Sequence, residues 1–133
     1  MKRTMLKSKI HRATVTQTDL NYEGSIGIDA ALLETADILP YEKVDIYNIS
    51  TGARFSTYAI SAPPLSGEFS LNGAAARLAQ PGDLIIITSF TEVEDAACKS
   101  HTPKILLLDS KNKHLNSAEF SKSSYARHPR RGD

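Results

Sequence analysis

The run Leu84-Ile85-Ile86-Ile87-Thr88-Ser89-Phe90 is the most apolar stretch of the chain. It suits one central strand and falls well short of the about 20 apolar residues that carry a helix across a bilayer. Its continuous apolar, β-branched character predicts a strand covered on both faces. The turn signal Gln80-Pro81-Gly82-Asp83 precedes it. A fold organised around such a strand needs other strands beside it, and the rest of the sequence supplies them.

Residues 4–18 read as a long strand. Met5, Lys7, Lys9, His11 and Ala13 fall on one face, and Leu6, Ser8, Ile10, Arg12 and Thr14 on the other. Neither face is cleanly apolar, so the alternation is imperfect. Lys9 and His11 share a face two residues apart. That pair belongs either to a solvated strand face or to the lining of an anion pocket. Residues 43–50 and 54–61 flank the turn Thr51-Gly52 and read as a hairpin. In its second strand Arg54, Ser56, Tyr58 and Ile60 share one face, and Phe55, Thr57 and Ala59 the other. Residues 69–71 and 104–109 complete the strands. Residues 29–36 form a short helix with Asp29 as N-cap, and Ile26-Gly27-Ile28-Asp29 reads as its start. Residues 92–97 suggest a second short helix. Asn72-Gly73-Ala74-Ala75-Ala76-Arg77 reads as a turn into a helix. Either its first N–H groups bind an anion or carbonyl oxygen, or its small side chains pack closely on a sheet. Six short strands and few helical residues predict a mainly β fold, a small barrel.

Length and charge set the outer bounds. The 133 residues suit one domain, and the net charge of +1 gives no overall field for nucleic acid. The charge is uneven: residues 1–109 hold 10 Lys+Arg and 13 Asp+Glu, while residues 110–133 hold 6 and 2. The basic, serine-rich segment 115–133 is expected to be disordered. Its closing Arg131-Gly132-Asp133 is a chance match to a cell-adhesion tripeptide. Cys98 is the single cysteine, so no internal disulfide forms, which suits a reducing, cytoplasmic setting. No apolar leader or membrane-spanning run is present, so no membrane partner is expected. One cysteine and scattered histidines exclude a zinc spacing, so no metal is expected. Phosphate-loop and dinucleotide glycine patterns are missing as well.

The stretch Tyr22-Glu23-Gly24-Ser25 admits two readings. One is a solvated turn, for which Gly-Ser pairs are common. The other is a peptide bond built to break: a serine hydroxyl can attack the carbonyl before it, and glycine leaves that carbonyl uncrowded.

Lys9-Ile10-His11-Arg12, Tyr22-Glu23-Gly24-Ser25, Gly52-Ala53-Arg54-Phe55-Ser56-Thr57-Tyr58-Ala59-Ile60, Asn72-Gly73-Ala74-Ala75-Ala76 and Pro81-Gly82-Asp83 stand in order along the chain. In order and spacing they resemble the pyruvoyl-dependent aspartate 1-decarboxylase family, which makes β-alanine for pantothenate. The resemblance covers about residues 1–110 and excludes the tail. It implies a six-stranded double-psi β-barrel in a homotetramer with sites between subunits. It implies a domain over residues 1–114, self-cleaved between Gly24 and Ser25 into chains 1–24 and 25–133. Ser25 would then become a covalently attached pyruvoyl group, with neither metal nor pyridoxal phosphate. That group forms a Schiff base with L-aspartate and acts as an electron sink.

The resemblance also implies roles for single residues. Ser25 and Tyr58 are catalytic, Tyr58 as the general acid that protonates the carbanion. Thr57 stabilises the oxyanion of self-cleavage at Gly24 and Ser25. Lys9, His11, Arg54, Thr57, Asn72, Gly73, Ala74 and Ala75 bind the substrate, with Arg54 able to fork two hydrogen bonds to a carboxylate. In a regular strand the Thr57 side chain points away from Tyr58, which suggests a local distortion there. Ile26 stands where some family members carry cysteine; the chemistry uses Ser25, so no loss is expected. A maturation factor remains open. The alternatives are a non-catalytic barrel that binds a partner, nucleic acid through the tail being one, and a pyruvoyl decarboxylase for another amino acid. The first predicts an intact single chain. The cationic pair Arg54 and Lys9 favours a substrate with two carboxylates.

Overall fold

β7 (Leu84–Glu94) lies between two antiparallel neighbours, β1 (Lys2–Thr14) and β4 (Lys43–Asn48). The apolar run is therefore central, as its composition predicts. Ile85 and Ile87 are fully buried and Ile86 is half-buried, so one face is packed more tightly than the other. The computed structural model describes residues 1–116. The expected disorder of the tail and the Arg131-Gly132-Asp133 match lie outside them, apart from residues 115 and 116.

The other strands are β2 (Gln17–Asp19), β3 (Ser25–Asp29), β5 (Arg54–Ala62), β6 (Phe69–Asn72) and β8 (Lys104–Leu107). One eight-stranded sheet runs in the order β2-β6-β3-β5-β4-β7-β1-β8. β1 and β2 stand near opposite ends of that order, yet only Val15 and Thr16 separate them. The backbone bonds continue across the gap: Val15 N–H donates to Asp83 C=O at 2.9 Å, and Thr16 N–H to Phe69 C=O at 2.9 Å. Chain continuity thus closes the sheet into a small barrel. Its interior holds Ile10, Val15, Ile26, Ile28, Val44, Ile46, Phe69, Leu71, Ile85 and Ile87, all essentially without exposure. Each such side chain stabilises the fold by roughly 1.5–3 kcal/mol relative to an exposed one.

The small, mainly β barrel was expected, but with six strands where the sheet has eight, the short β2 and β3 being the additions; two further differences in its strands have physical causes. The long first strand is broken, and its ladder with β7 shifts register between Leu6 and Ser8 and between His11 and Ala13. At the second shift Arg12 takes φ 65, and inward positions change from Ser8 and Ile10 to Ala13 and Val15. A bulge adds one residue and moves the alternation to the other parity, which is why neither face reads as apolar. Secondly, Ile26-Gly27-Ile28-Asp29 belongs to a strand and does not start the helix. β3 pairs parallel with β5 and antiparallel with β6, so all five of its residues are buried. A Cβ at Gly27 would collide with the Ser70 hydroxyl on β6. Glycine there serves close packing between strands.

The helix α1 (Ala30–Ala36) follows directly, and Asp29 caps it by accepting from Ala31 N–H at 2.9 Å. The same carboxylate accepts from Leu65 and Gly67 N–H, each at 2.9 Å, tying the proline loop to the end of β3. β7 runs on to Glu94, so the second helix, α2 (Asp95–Cys98), is shorter than the stretch 92–97 suggests. Cys98 is half-buried. Among the described residues, no helix is long and apolar enough to cross a membrane.

Candidate active site

Burial changes abruptly at one peptide bond. Residues 20–24 are exposed, whereas Ser25, the first residue of β3, is 1% exposed. Ser25 pairs with Asn72 across the β3–β6 ladder. The Asn72 amide Nδ2 donates to Ser25 Oγ at 3.0 Å, and that hydroxyl donates to the Glu23 carbonyl at 3.2 Å. The serine hydroxyl is thus fixed from both sides within a buried pocket of backbone. Asn72 precedes the 3₁₀ turn Gly73–Arg77 but makes no side-chain cap to it; its amide is used on Ser25.

Gly73 faces the exposed side of the same bond. It has φ 65, and a Cβ there would stand 2.7 Å from both Gly24 N and Gly24 Cα and 2.9 Å from the Tyr22 carbonyl. The backbone of residues 22–24 therefore rests directly on Gly73, a contact open only to glycine. A Cβ added at Gly24, by contrast, would meet nothing within 4 Å. Ala74 is exposed, and Ala75 packs against the core. The segment is one short turn, closer to the small-residue packing reading than to a full helix start.

The other flank of Ser25 is β5. Its antiparallel ladder with β4 runs without a register shift from Arg54 to Tyr58, and at Ala59 a parallel ladder with β3 begins, opposite Ile26. Stepping back one residue along both strands puts Tyr58 beside Ser25. No bulge marks Thr57 and Tyr58; the strand changes partner there. Thr57 and Tyr58 are both half-buried. The Tyr41 ring lies against Tyr58, with centroids 6.3 Å apart and planes tilted by 33°. Tyr41 escapes sequence reasoning, because nothing in Pro40-Tyr41-Glu42 marks a tyrosine for the left-handed region it occupies at φ 73.

The remaining predicted residues are placed elsewhere in the single chain. Arg54 is exposed at the start of β5, four residues before Tyr58 or about 13 Å along an extended strand. Its guanidinium sits 4.1 Å above the Tyr47 ring, a cation–π contact. Lys9 and His11 are half-buried on β1, opposite Thr88 and Ile86 of β7 and Ile105 and Leu107 of β8. Three strands separate β1 from β3 in the sheet order. The chain thus gathers Gly24, Ser25, Thr57, Tyr58, Asn72 and Gly73, while Lys9, His11 and Arg54 stand apart.

A second polar cluster lies under the loop before β4. Lys7 Nζ pairs with Glu42 Oε2 at 3.2 Å and donates to the Asp37 carbonyl. Glu42 also accepts from Ser89 Oγ and, at 3.1 Å, from Leu39 N–H. Burial pushes the Glu42 carboxyl up. The Ser89 and Leu39 hydrogen bonds, with the Lys7 ammonium, outweigh that and hold it below its ordinary value. No group of residues suited to a metal occurs among those described.

A buried serine hydroxyl, the exposed glycine before it and a half-buried tyrosine on the next strand thus lie close together in the fold. Residues 1–115 match the family model described as aspartate decarboxylase. The aspartate 1-decarboxylase of Syntrophobacter fumaroxidans is 55% identical over 116 residues, 87% of this chain and 94% of the relative. That of Maricaulis maris is 58% identical over 113 residues, covering 85% and 93%. That of Thermoanaerobacter pseudethanolicus is 55% identical over 116 residues, covering 87% and 99%. With nearly the whole length of these relatives matched, the chain belongs to the aspartate decarboxylase family.

Proposed function

We propose that the chain is an aspartate 1-decarboxylase. It removes the 1-carboxylate of L-aspartate as carbon dioxide and yields β-alanine for pantothenate and coenzyme A synthesis, using a pyruvoyl group made from its own Ser25. The observation that carries this reading is the setting of the Ser25 hydroxyl: buried, held by Asn72 at 3.0 Å, and next to a Gly24 whose backbone is seated on Gly73.

In maturation, Ser25 Oγ bonds to the Gly24 carbonyl carbon as the Gly24–Ser25 C–N bond breaks, giving an ester and a free amine. The Asn72 amide stabilises charge on Oγ, and Thr57 stabilises the developing oxyanion. Loss of the Ser25 α-proton expels the Gly24 carboxylate. Water then displaces ammonia from the resulting double bond, leaving a keto group at residue 25.

A pyruvoyl group at residue 25 would supply the electron sink that the decarboxylation needs. Arg54 forks to one substrate carboxylate, and Lys9 offers a point charge to the other, with His11 beside it. Asn72, Thr57 and the Gly73-Ala74-Ala75 backbone border the substrate. Tyr58 returns a proton to the α-carbon. Lys9 and Arg54 lie far from Ser25 in one chain, which favours sites completed between subunits of a homotetramer. The activity resides in residues 1–114, and the single cysteine suits a cytoplasmic enzyme.

Intact mass of the purified protein tests the first half of this reading. Two species are expected, one ending at Gly24 and one beginning with a pyruvoyl at residue 25. The mature protein should then convert L-aspartate to β-alanine without added cofactor. A single uncleaved species with no turnover would overturn the proposal in favour of a binding module.

A further inference from the structure

Tyr41 occupies a backbone position that normally belongs to glycine. Its N–H donates to the Ala59 carbonyl at 2.7 Å, and Ala59 N–H donates to the Glu42 carbonyl at 3.0 Å. Two consecutive residues, Tyr41 and Glu42, therefore oppose the single residue Ala59. The first has φ 73. This is the pattern of the bulge whose leading residue is left-handed and is ordinarily glycine. A bulky residue at positive φ is an outlier with an intrinsic cost. The core does not explain it, because Tyr41 is 79% exposed. What the tyrosine ring touches is Tyr58.

The rest of the segment holds that ring in place. Glu42 is anchored to Lys7, Ser89 and the Leu39 N–H. Pro40 precedes Tyr41 and fixes its own φ. The bulge sits where β5 leaves β4 for β3, one residue past Tyr58. There the ring of Tyr41 lies beside that of Tyr58, at 6.3 Å between centroids, and glycine at residue 41 would remove it. Offset aromatic pairs at 4.5–7 Å restrict each other's orientation.

We infer that Tyr41 is a positioning residue for Tyr58: its ring limits the swing of the Tyr58 side chain and keeps the phenol aimed at the substrate carbon. The inference rests on the proposed proton-return role of Tyr58. Tyr41 touches neither Ser25 nor the scissile bond, so self-cleavage does not depend on it.

The test compares Tyr41→Gly, Tyr41→Phe and Tyr58→Phe, with rates divided by the fraction of chains carrying the keto group. Tyr41→Gly suits the left-handed position, so it should fold with a thermal midpoint near that of the wild type and cleave fully. Its kcat should fall about three- to ten-fold with KM nearly unchanged, the scale of one aromatic contact. Tyr41→Phe keeps the ring and should retain kcat within about two-fold. Tyr58→Phe should lose on the order of a hundred-fold or more. If Tyr58→Phe loses activity while Tyr41→Gly keeps it, the positioning role is overturned and the proton-return role stands. Full activity in Tyr58→Phe overturns both. Equal losses in Tyr41→Gly and Tyr41→Phe, a change confined to KM, or an uncleaved Tyr41→Gly chain would also overturn the role assigned to the ring.

Discussion

The surroundings of Ser25 and those of Lys9 and Arg54 differ in kind. Around Ser25 the chain itself supplies Asn72 through its amide, Gly73 against the preceding Gly24, and Tyr58 one residue before the pair of Ala59 with Ile26. Ser25 and Asn72 are nearly inaccessible. Arg54 is exposed, and Lys9 half-exposed three strands away. The groups proposed for maturation thus stand together in one chain, while the two cations proposed for the substrate carboxylates, Lys9 and Arg54, stand apart from them. On the proposed reading the difference means that cleavage and turnover have separate structural requirements and can be lost separately.

The largest effect should come from the buried side. Ser25→Ala removes the only hydroxyl placed to accept the Gly24 acyl group, so the chain should fold, stay uncleaved and show no turnover at all. Electrophoresis decides it; two fragments split after Gly24 would rule out the ester route and erase the distinction between the two regions.

Arg54→Ala strikes the exposed side. Cleavage should proceed normally, because Arg54 lies about 13 Å along β5 from Tyr58. Turnover of L-aspartate should fall on the order of hundreds-fold, since losing a charged partner of a bound carboxylate typically costs about 2–5 kcal/mol. Steady-state rates on fully cleaved enzyme report this. Normal turnover would remove Arg54 from the site, and blocked cleavage would show that the two regions are coupled.

The smallest effect should come from Glu42, whose carboxylate ties β1 to β7 through Lys7 and Ser89. Glu42→Gln is compared in the Ser25→Ala background, so that both chains remain continuous. The folded carboxyl titrates below its ordinary value of 4.5, so the ionised form is the stabilising one. Its contribution is complete above that value and disappears as pH falls through the lower folded value. At neutral pH the substitution should cost roughly 1–2 kcal/mol, as for hydrogen bonds to a charged group. That difference should shrink on acidification. Denaturant titrations at several pH values measure it; a pH-independent difference would assign the effect to packing.

Much of the barrel is legible in the sequence because its signals are local. The apolar run of β7, the Thr51-Gly52 hairpin and the Asp29 cap each depend on residues within one turn or one strand. β3 is not legible in that way. Five residues interrupted by glycine carry little periodicity, and what makes them a strand is the pairing with β5 and β6 on either side. Arg12 and Tyr41 are hidden for the same reason, since neither side chain favours the left-handed region each occupies. The site divides similarly. Motif resemblance names its residues, but which of them meet in one chain follows from strand order, and local patterns do not encode strand order.

The closure of the barrel through residues 14–17 bears on the molecularity of folding. In the continuous chain, β1 and β2 reach their places between β7 and β8 and beside β6 as part of a single molecule. After a cut at Gly24 the same strands belong to a peptide of 24 residues, held without a covalent bond by ladders to β6, β7 and β8, by side-chain bonds such as Lys7 to Glu42, and by core packing. Folding before the cut is a first-order event; reassembly after it is a second-order encounter that depends on dilution. The proposed cleavage would therefore separate the route by which the barrel is made from the route by which it could be remade. A molecule cut there would keep a shape whose assembly depended on a covalent link it had lost.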